Sequence, residues 1–314
     1  MSETSPEQIR AAWDDPKLAN VLYHDWEAET YDAKWSISYD ERCIQYARDR
    51  FVHVAGEQGW PYGKALELGC GTGFFLLNLK QAGVLGEGHV TDISPKMVEV
   101  AVRNGKELGF EIEGRVADAE TLPYPDDTFD LVVGHAVLHH IPDVDQAMAE
   151  VLRVLRPGGR FVFAGEPTEY GDVVARALSR LTWWATTKVT HLPGLAGWSR
   201  SKEELAASSE AAHLEAVVDL HTFDPARLRA LCERVGAREV RTVTEELTAS
   251  WLGWPVRTFE CAVNPEKLGW GWANFAYKSW TNLAALDQRV LSRVVPARFF
   301  YNVLVTGVKP DPAD

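Results

Sequence analysis

A glycine-rich loop constrains the fold of this chain more than any other segment. The loop follows the apolar residues 64–68 and precedes a second apolar run, in the sequence KALELGCGTGFFLLNL. Because Gly69, Gly71 and Gly73 alternate with small residues, the backbone can turn tightly and a ligand can approach it closely. A strand, a glycine-rich turn and a helix in this order are typical of nucleotide-binding α/β sheets.

The composition of the chain excludes several classes of protein. It has 314 residues, and 45 Asp and Glu against 32 Lys and Arg give a net charge of −13, which argues against a general nucleic-acid binder. The cysteines, at positions 43, 70, 232 and 261, are too far apart for a zinc-binding pattern. Because the first residues lack a signal-peptide core and no apolar run approaches ~18 residues, we expect a cytoplasmic protein without a transmembrane segment.

The distribution of tryptophan predicts how the chain is divided. None of the twelve tryptophans lies between residues 61 and 182, and most of that stretch alternates strand-like and helix-like patterns. The expected units are an N-terminal helical cap at 1–60, a nucleotide-binding core at 61–166, a helical lid insertion at 167–222, and the rest of the core at 223–314 with an aromatic insertion at about 247–295. Strands are expected at 64–68, 89–91, 112–117, 129–134, 160–164 and 300–308.

The loop departs from the pattern of nicotinamide-binding proteins. The dinucleotide fingerprint G-x-G-x-x-G fails because Phe74 stands at the sixth position counted from Gly69. Glu67, two residues before the first glycine, would repel a pyrophosphate but attract an ammonium or a sulfonium group. The loop therefore disfavours a nicotinamide-dependent oxidoreductase.

Four segments together resemble the class I S-adenosylmethionine (SAM)-dependent methyltransferases, in particular the methyltransferase domain 11 type, which includes quinone-ring C-methyltransferases. They are ALELGCGTGFFL, HVTDISPKMVEVA, VADAETLPYPDDTFDLVV and AVLHHIPDVDQAMAEVLRVLRPGGRFVF, and they cover about residues 60–166. The resemblance implies an α/β fold with a Rossmann-like seven-stranded sheet and aromatic helical lid insertions. It also implies SAM as cofactor, S-adenosylhomocysteine as product and 61–166 as the SAM-binding core.

The resemblance also implies which residues bind the cofactor. Asp92 would accept the ribose hydroxyls, Asp118 would accept the adenine amino group, and Glu67 would face the amino end of the cofactor. The other cofactor-binding residues that it implies are Gly69, Cys70, Gly71, Thr72, Gly73, Ile93, Met97, Ala119, Glu120, His135 and Tyr31. Simpler roles stay open: Glu67 could cap loop N–H groups, Asp118 could form an Asx turn, and Met97 could be helix core.

Two residues are candidates for a catalytic role. His135 ends the fourth strand, where the family places backbone near the methionine part of the cofactor, although it could equally bond to the backbone there. Tyr23 belongs to an aromatic and acidic N-terminal stretch that could close over the cofactor or simply cap the core. Either side chain could deprotonate or orient an acceptor for in-line attack on the methyl group. We expect His139 and His140 to pack and form hydrogen bonds where the next helix begins, and we expect no metal site.

The aromatic segments indicate the kind of acceptor. Residues 166–220 and 247–295 contain eight tryptophans, which suit lids over a flat or apolar molecule. A homodimer interface in the aromatic C-terminal regions is the alternative, and the stretch VVARALSRLTWW could instead lie on a membrane surface. We therefore expect an enzyme, a SAM-dependent methyltransferase acting on a small, aromatic or lipophilic molecule. A protein or peptide methyltransferase and a non-catalytic SAM-binding regulatory or scaffold protein remain as alternatives.

Overall fold

The structure, a computed structural model, describes residues 15–35, 37–201, 204–205 and 218–311. It contains one seven-stranded sheet in the order β3-β2-β1-β4-β5-β7-β6. The strands are β1 (Tyr62–Leu68), β2 (Leu85–Asp92), β3 (Ile112–Val116), β4 (Phe129–His135), β5 (Leu155–Pro167), β6 (Arg238–Glu245) and β7 (Asn302–Val308). Strands β1 to β5 are parallel, whereas β7 runs antiparallel to both β5 and β6. The expected seven-stranded α/β fold is confirmed.

Helices cover both faces of the sheet. They are α1 (Pro16–Glu27), α2 (Tyr31–Trp35), α3 (Glu41–Ala55), α4 (Phe74–Gln81), α5 (Pro95–Glu107), α6 (Val144–Val154), α7 (Glu169–Val189), α8 (Pro225–Arg234), α9 (Thr248–Ala262) and α10 (Trp270–Arg289). Buried side chains of α3, α4 and α5 pack on one face, and those of α6 and α8 pack on the other. Both faces of the central strands β1, β4 and β5 are therefore buried, as the apolar stretches of these strands require, whereas the edge strand β3 is largely exposed.

Local sequence signals fix where the two helices next to the glycine loop begin. Gly73 ends the loop with a φ of +85°, in the left-handed region, and α4 starts at the next residue. In α5 the Ser94 hydroxyl accepts a hydrogen bond from the Met97 N–H, and Pro95 occupies the first helical position. The helix N-termini after β1 and β2 therefore both lie at the carboxyl edge of the sheet.

Strand β2 is longer than the sequence predicts, because it begins at Leu85 rather than at His89. The two glycines in its first half look unfavourable for a strand, but the packing requires them. A Cβ on Gly88 would lie 2.9 Å from a methyl group of Leu76, and one on Gly86 would lie 3.0 Å from the Gly63 carbonyl oxygen. Here glycine marks a close approach of neighbouring chain segments and not the end of the strand.

The remaining helices form the aromatic part of the molecule. Helix α9 packs against both α7 and α10, and α1 packs against α5. Much of the expected N-terminal cap and lid, namely residues 1–14, 36, 202–203 and 206–217, lies outside the described residues, so the domain boundaries stay predictions. Among the helices that the structure describes, none has the length and apolar character needed to cross a bilayer.

Candidate cofactor and acceptor site

A cavity of about 820 Å³ opens where strands β1, β2 and β4 end. The order of the strands reverses between β1 and β4, and open α/β sheets bind ligands at such a point. Of the residues predicted from the sequence, its wall contains Tyr23, Tyr31, Glu67, Gly69, Cys70, Gly71, Thr72, Asp92, Ile93, Asp118, Ala119 and His135. Gly73, Met97 and Glu120 are not part of the wall.

The first two glycines of the loop have different roles, although both have a positive φ. A Cβ on Gly69, where φ is +58°, would lie 2.1 Å from Cγ2 of Val137, so the position has no room for a side chain. A Cβ on Gly71, where φ is +50°, would find only Cε1 of Tyr31, at 3.8 Å. Gly69 is therefore required by packing, whereas Gly71 leaves space that a ligand can occupy against the backbone.

Alanine substitutions should separate these two roles. Gly69→Ala combines a left-handed backbone with a steric clash, so we expect it to lower the free energy of unfolding by about 2–4 kcal/mol. Gly71→Ala should lower it by only about 1 kcal/mol but should abolish measurable binding of S-adenosylhomocysteine. Urea denaturation and calorimetric titration of both variants measure the two effects. Normal binding by a folded Gly71→Ala variant would contradict the position proposed for the ligand.

Asp92, at the end of β2, has the geometry expected of a ribose-binding carboxylate. Its Oδ2 accepts a hydrogen bond from the Gly71 N–H and its Oδ1 one from the Ser94 N–H, both at 2.9 Å. Each oxygen keeps a lone pair, and the residue lines the cavity. Burial raises the pKa of this carboxyl to about 6. A pair of hydroxyl donors, such as those of a ribose, would stabilise the ionised form, so the residue fits a nucleoside cofactor.

Glu67 caps the first turn of α4, directly after the loop, and its contact with a ligand stays a prediction. Its carboxylate accepts the Phe75 N–H at 3.3 Å and the Leu76 N–H at 3.1 Å, in the first turn of α4. Burial raises the pKa of Glu67 to about 8, and the negative charge of Asp92 adds to the increase. The side chain also lines the cavity, where a cationic group would favour its ionised form.

The raised pKa of Glu67 predicts that the fold loses stability as the pH rises. The folded chain keeps this proton up to about pH 8, whereas the unfolded chain releases it near the ordinary value of 4.5. Folding therefore becomes less favourable between these pH values, by on the order of a few kcal/mol. We expect the free energy of unfolding of Glu67→Gln, measured by urea denaturation at pH 5, 6.5 and 8, to fall less steeply with pH than that of the wild type. The same pH dependence of the free energy of unfolding in wild type and variant would contradict the raised pKa of Glu67.

Asp118 and Glu120 are both held by a lysine of the N-terminal helix. Nζ of Lys17 lies 2.6 Å from Oδ2 of Asp118 and 2.5 Å from Oε2 of Glu120. Oδ1 of Asp118 accepts the Glu120 N–H at 2.9 Å, which is the Asx turn left open above. Glu120 also accepts the Asp143 N–H at 3.0 Å, so it joins α1 to the segment before α6. Asp118 can still reach the cavity.

Met97 and Gly73 serve the packing of the core. Met97 is 1% exposed and packs with Ala28 and Val100, so it is helix core, one of the two roles that its sequence left open. A Cβ on Gly73 would lie 2.9 Å from Cδ1 of Leu77. Met97 therefore packs α5 against the segment after α1, and Gly73 allows the close approach of α4 and α5.

His135 lies in an aromatic surrounding at the end of β4. Its Nε2 is 3.2 Å from the Tyr46 hydroxyl, and the rings of Phe74 and Phe75 are 5.3 and 5.5 Å from the imidazole. Burial lowers the pKa of His135 to about 4, and the charge of Arg50 acts in the same direction. The imidazole is therefore neutral near pH 7, with a lone pair available to a neighbour.

Tyr46 and Arg50, one turn apart on α3, are residues that the sequence reasoning missed. The Arg50 guanidinium lies 3.5 Å from the centre of the Tyr46 ring and forms ion pairs at 2.8 Å with Glu245 and Glu246. Both Tyr46 and Arg50 line the cavity. Their spacing of four residues on an amphipathic helix was the available signal, but only the fold shows that this face meets the end of β4.

The wall away from the glycine loop is aromatic. Trp254 of α9, Tyr277 and Trp280 of α10, and Tyr301 before β7 contribute to it. Arg176 and Asp172 of α7 add a charged pair at 2.6 Å. The aromatic segments therefore supply the part of the cavity wall that the glycine loop does not reach.

The tandem histidines form hydrogen bonds where the chain leaves β4, as expected. Nδ1 of His139 lies 2.8 Å from Oε2 of Glu166. The same carboxylate accepts the N–H groups of Val137 and Leu138 at Oε1 and that of His139 at Oε2. Nδ1 of His140 lies 3.0 Å from the Val218 carbonyl oxygen and 3.5 Å from Oδ1 of Asp219. Because a carbonyl can only accept, this nitrogen carries a hydrogen, and the lone pair of the ring is on Nε2. His139, His140 and Asp219 place atoms of the kind that bind metal ions within 4.8 Å of one another. That there is no metal site stays a prediction.

Comparison with known proteins identifies the family. The profile of the methyltransferase domain family matches residues 66–163. A malonyl-[acyl-carrier protein] O-methyltransferase from Methylococcus capsulatus is 30% identical over 232 residues, which cover 71% of this chain and 78% of that protein. The chain belongs to the class I SAM-dependent methyltransferase family.

Two further comparisons show how far the similarity extends. A demethylmenaquinone methyltransferase from Anoxybacillus flavithermus is 32% identical over 148 residues, 46% of this chain and 61% of that protein. The crystal structure of the [4+2]-cyclase SpnF has 17% identity and a TM-score of 0.52, over 94% of this chain and 97% of that one, and shows the shared fold alone. Several other curated relatives are matched over only 36%, 41% or 51% of their length.

Proposed function

We propose that this methyltransferase-family protein transfers a methyl group from SAM to a small aromatic or lipophilic acceptor. The observation that carries the proposal is that one cavity joins the loop around Gly71 and Asp92 to the aromatic wall formed by Trp254, Tyr277 and Trp280. A cofactor on the loop and a flat acceptor against the wall would share a single space from which water is excluded.

SAM carries a sulfonium-activated methyl group, so the protein need only bind, orient and desolvate the reactants. In the proposal Asp92 accepts the ribose hydroxyls and the backbone at Gly71 lies against the cofactor. Ile93 and Ala119 contact the adenine, and Asp118 accepts its amino group. The ionised form of Glu67, which also fixes the loop, favours the cationic end of the cofactor.

His135 is the proposed group that orients the acceptor or accepts its proton. It is neutral near pH 7, lines the cavity and has Tyr46 as a hydrogen-bond partner. Tyr23 is the second candidate, but it is only 6% exposed and packs against Ala19 and Val218, which favours a structural role. Two relatives are named as methyltransferases of demethylmenaquinone and of malonyl-[acyl-carrier protein]. Their names support an acceptor that is either of low molecular weight or presented by a carrier.

Transfer of label tests this function directly. The purified protein is incubated with SAM labelled in its methyl group and with aqueous and organic extracts of cells, and formation of S-adenosylhomocysteine is measured. We expect label in a small, organic-soluble product, and no transfer by the Gly71→Ala variant. Label in protein would favour the peptide methyltransferase, and cofactor binding without turnover would favour the scaffold protein.

A further inference from the structure

Helix α7 and the segment after α10 expose large apolar side chains to solvent. On α7, Val173 is 66% exposed and Leu181 and Trp184 are each 60% exposed, while Val294, after α10, is 73% exposed. Positions 173, 181 and 184 share one face of the helix because they are separated by about two and three turns. Such a row of exposed apolar residues marks an interaction surface in a water-soluble domain.

The segment before β7 extends this surface beyond α7. The ring of Tyr170, in the first turn of α7, lies 5.4 Å from the ring of Phe299. The guanidinium of Arg298 lies 5.6 Å from the centre of the Tyr170 ring and 5.1 Å from the centre of the Phe299 ring. We use the term lid patch for Tyr170, Val173, Leu181, Trp184, Val294 and Phe299.

The charges next to the lid patch have the opposite sign to those of the whole chain. Residues 169–200 and 287–301 contain seven lysines and arginines and three acids, Glu169, Asp172 and the buried Asp287, in a chain whose net charge is −13. Arg180 and Lys188 are exposed on α7, on the same side as the apolar row, and Arg293 and Arg298 are exposed near Val294. The lid patch is thus apolar, contains a tryptophan and has a cationic border.

We propose that the lid patch binds the surface of an anionic lipid bilayer, with α7 lying in the plane of the interface. Exposed Trp and Leu side chains would enter the region between headgroups and acyl chains, and Arg180, Lys188 and Arg293 would contact lipid phosphates. The acidic remainder of the molecule would be repelled from the same surface, so the charge distribution also sets the orientation of the protein.

A bilayer fits the lid patch better than a second copy of the chain does. A two-fold symmetric dimer would place the same patch on both subunits and would bring two sets of like charges together. An anionic surface instead attracts the exposed Arg180, Lys188 and Arg293. The charge distribution therefore favours lipid as the occupant.

The lid patch belongs to the helices that also form the acceptor wall. Arg176 of α7 lines the cavity, whereas Val173 and Leu181 of the same helix are exposed. Tyr277, on α10, lines the cavity and is itself 45% exposed. Lipid binding does not depend on methyl transfer, so the two proposals fail separately.

Co-sedimentation of the full chain with vesicles tests the inference. Vesicles of phosphatidylcholine alone are compared with vesicles that also contain phosphatidylglycerol, at low and high salt. We expect binding to the anionic vesicles that weakens as salt screens the charges. Leu181→Glu should reduce this binding about tenfold or more. The matched control is Val116→Glu, because Val116 is 53% exposed on β3, away from the lid helices, and this variant should bind like wild type.

Three results would overturn the inference. The first is no sedimentation with anionic vesicles at low salt. The second is an equal loss of binding in the Leu181→Glu and Val116→Glu variants, both shown to be folded by circular dichroism. The third is a dimer in analytical ultracentrifugation that Leu181→Glu dissociates, with no vesicle binding by the wild type, which would assign the lid patch to contacts between copies of this chain.

Discussion

Replacing Asp92 with alanine should weaken the binding of S-adenosylhomocysteine by about 10²- to 10⁴-fold, since in the proposed arrangement it removes two charge-assisted hydrogen bonds to the ribose, of which each contributes about 1.5–3 kcal/mol. The substitution also releases the N–H groups of Gly71 and Ser94, which the carboxylate holds at 2.9 Å. Calorimetric titration of wild type and variant measures the change. Because the pKa of Asp92 is about 6 and protonation removes an acceptor, the affinity of the wild type should also fall as the pH drops below 6.

Asp118→Ala is the matched control for this experiment. The Asp118 side chain is 34% exposed and already paired with Lys17, so its loss should weaken binding by no more than about tenfold. Equal effects of the two substitutions would argue against a special role for Asp92. Unchanged affinity in Asp92→Ala, or binding of NADH in place of S-adenosylhomocysteine, would overturn the proposed orientation of the cofactor.

The sequence predicts which residues around the glycine loop line the cavity, because those residues lie close to one another along the chain. Gly69 and Gly71 follow a strand, and Asp92 ends the next one. In a parallel sheet neighbouring strand ends must meet at one edge. The order of these residues along the chain is therefore enough to predict that they lie close together in the fold. The same argument fails for the length of β2, whose glycines resemble a turn until the packing of Leu76 is known.

The aromatic half of the cavity, where the acceptor is proposed to bind, is harder to predict because helices that are distant in sequence meet there. Tyr46 comes from α3, Arg176 from α7 and Trp280 from α10, and no periodicity within one helix shows which face will meet the end of β4. Glu67 shows a different limit. Its position fits both a ligand contact and a helix cap, and only the distances to the Phe75 and Leu76 N–H groups show that it is a cap in this structure.

The largest effect on turnover is expected from His135→Gln, which should lower the rate of methyl transfer by about 10²- to 10⁴-fold, the usual contribution of a positioned acid or base. Affinity for S-adenosylhomocysteine should change by less than about threefold, because the residues proposed to bind the cofactor lie on the glycine loop and after β2 and β3, whereas His135 ends β4. Glutamine keeps hydrogen-bonding capacity and approximate size but not the basic ring nitrogen. Rates with labelled SAM and titration of the same preparations give the two quantities.

Tyr46→Phe is the control, since it removes only the hydroxyl that lies 3.2 Å from Nε2 of His135. If Tyr46 orients the imidazole, this variant should retain more activity than His135→Gln. The pH profile adds an independent test: His135 has a pKa of about 4 and becomes charged only as the pH falls towards that value, so its titration should leave the rate unchanged between pH 6 and 8. Parallel losses of turnover and cofactor affinity in His135→Gln would show that the residue supports the cofactor site and does not act on the acceptor.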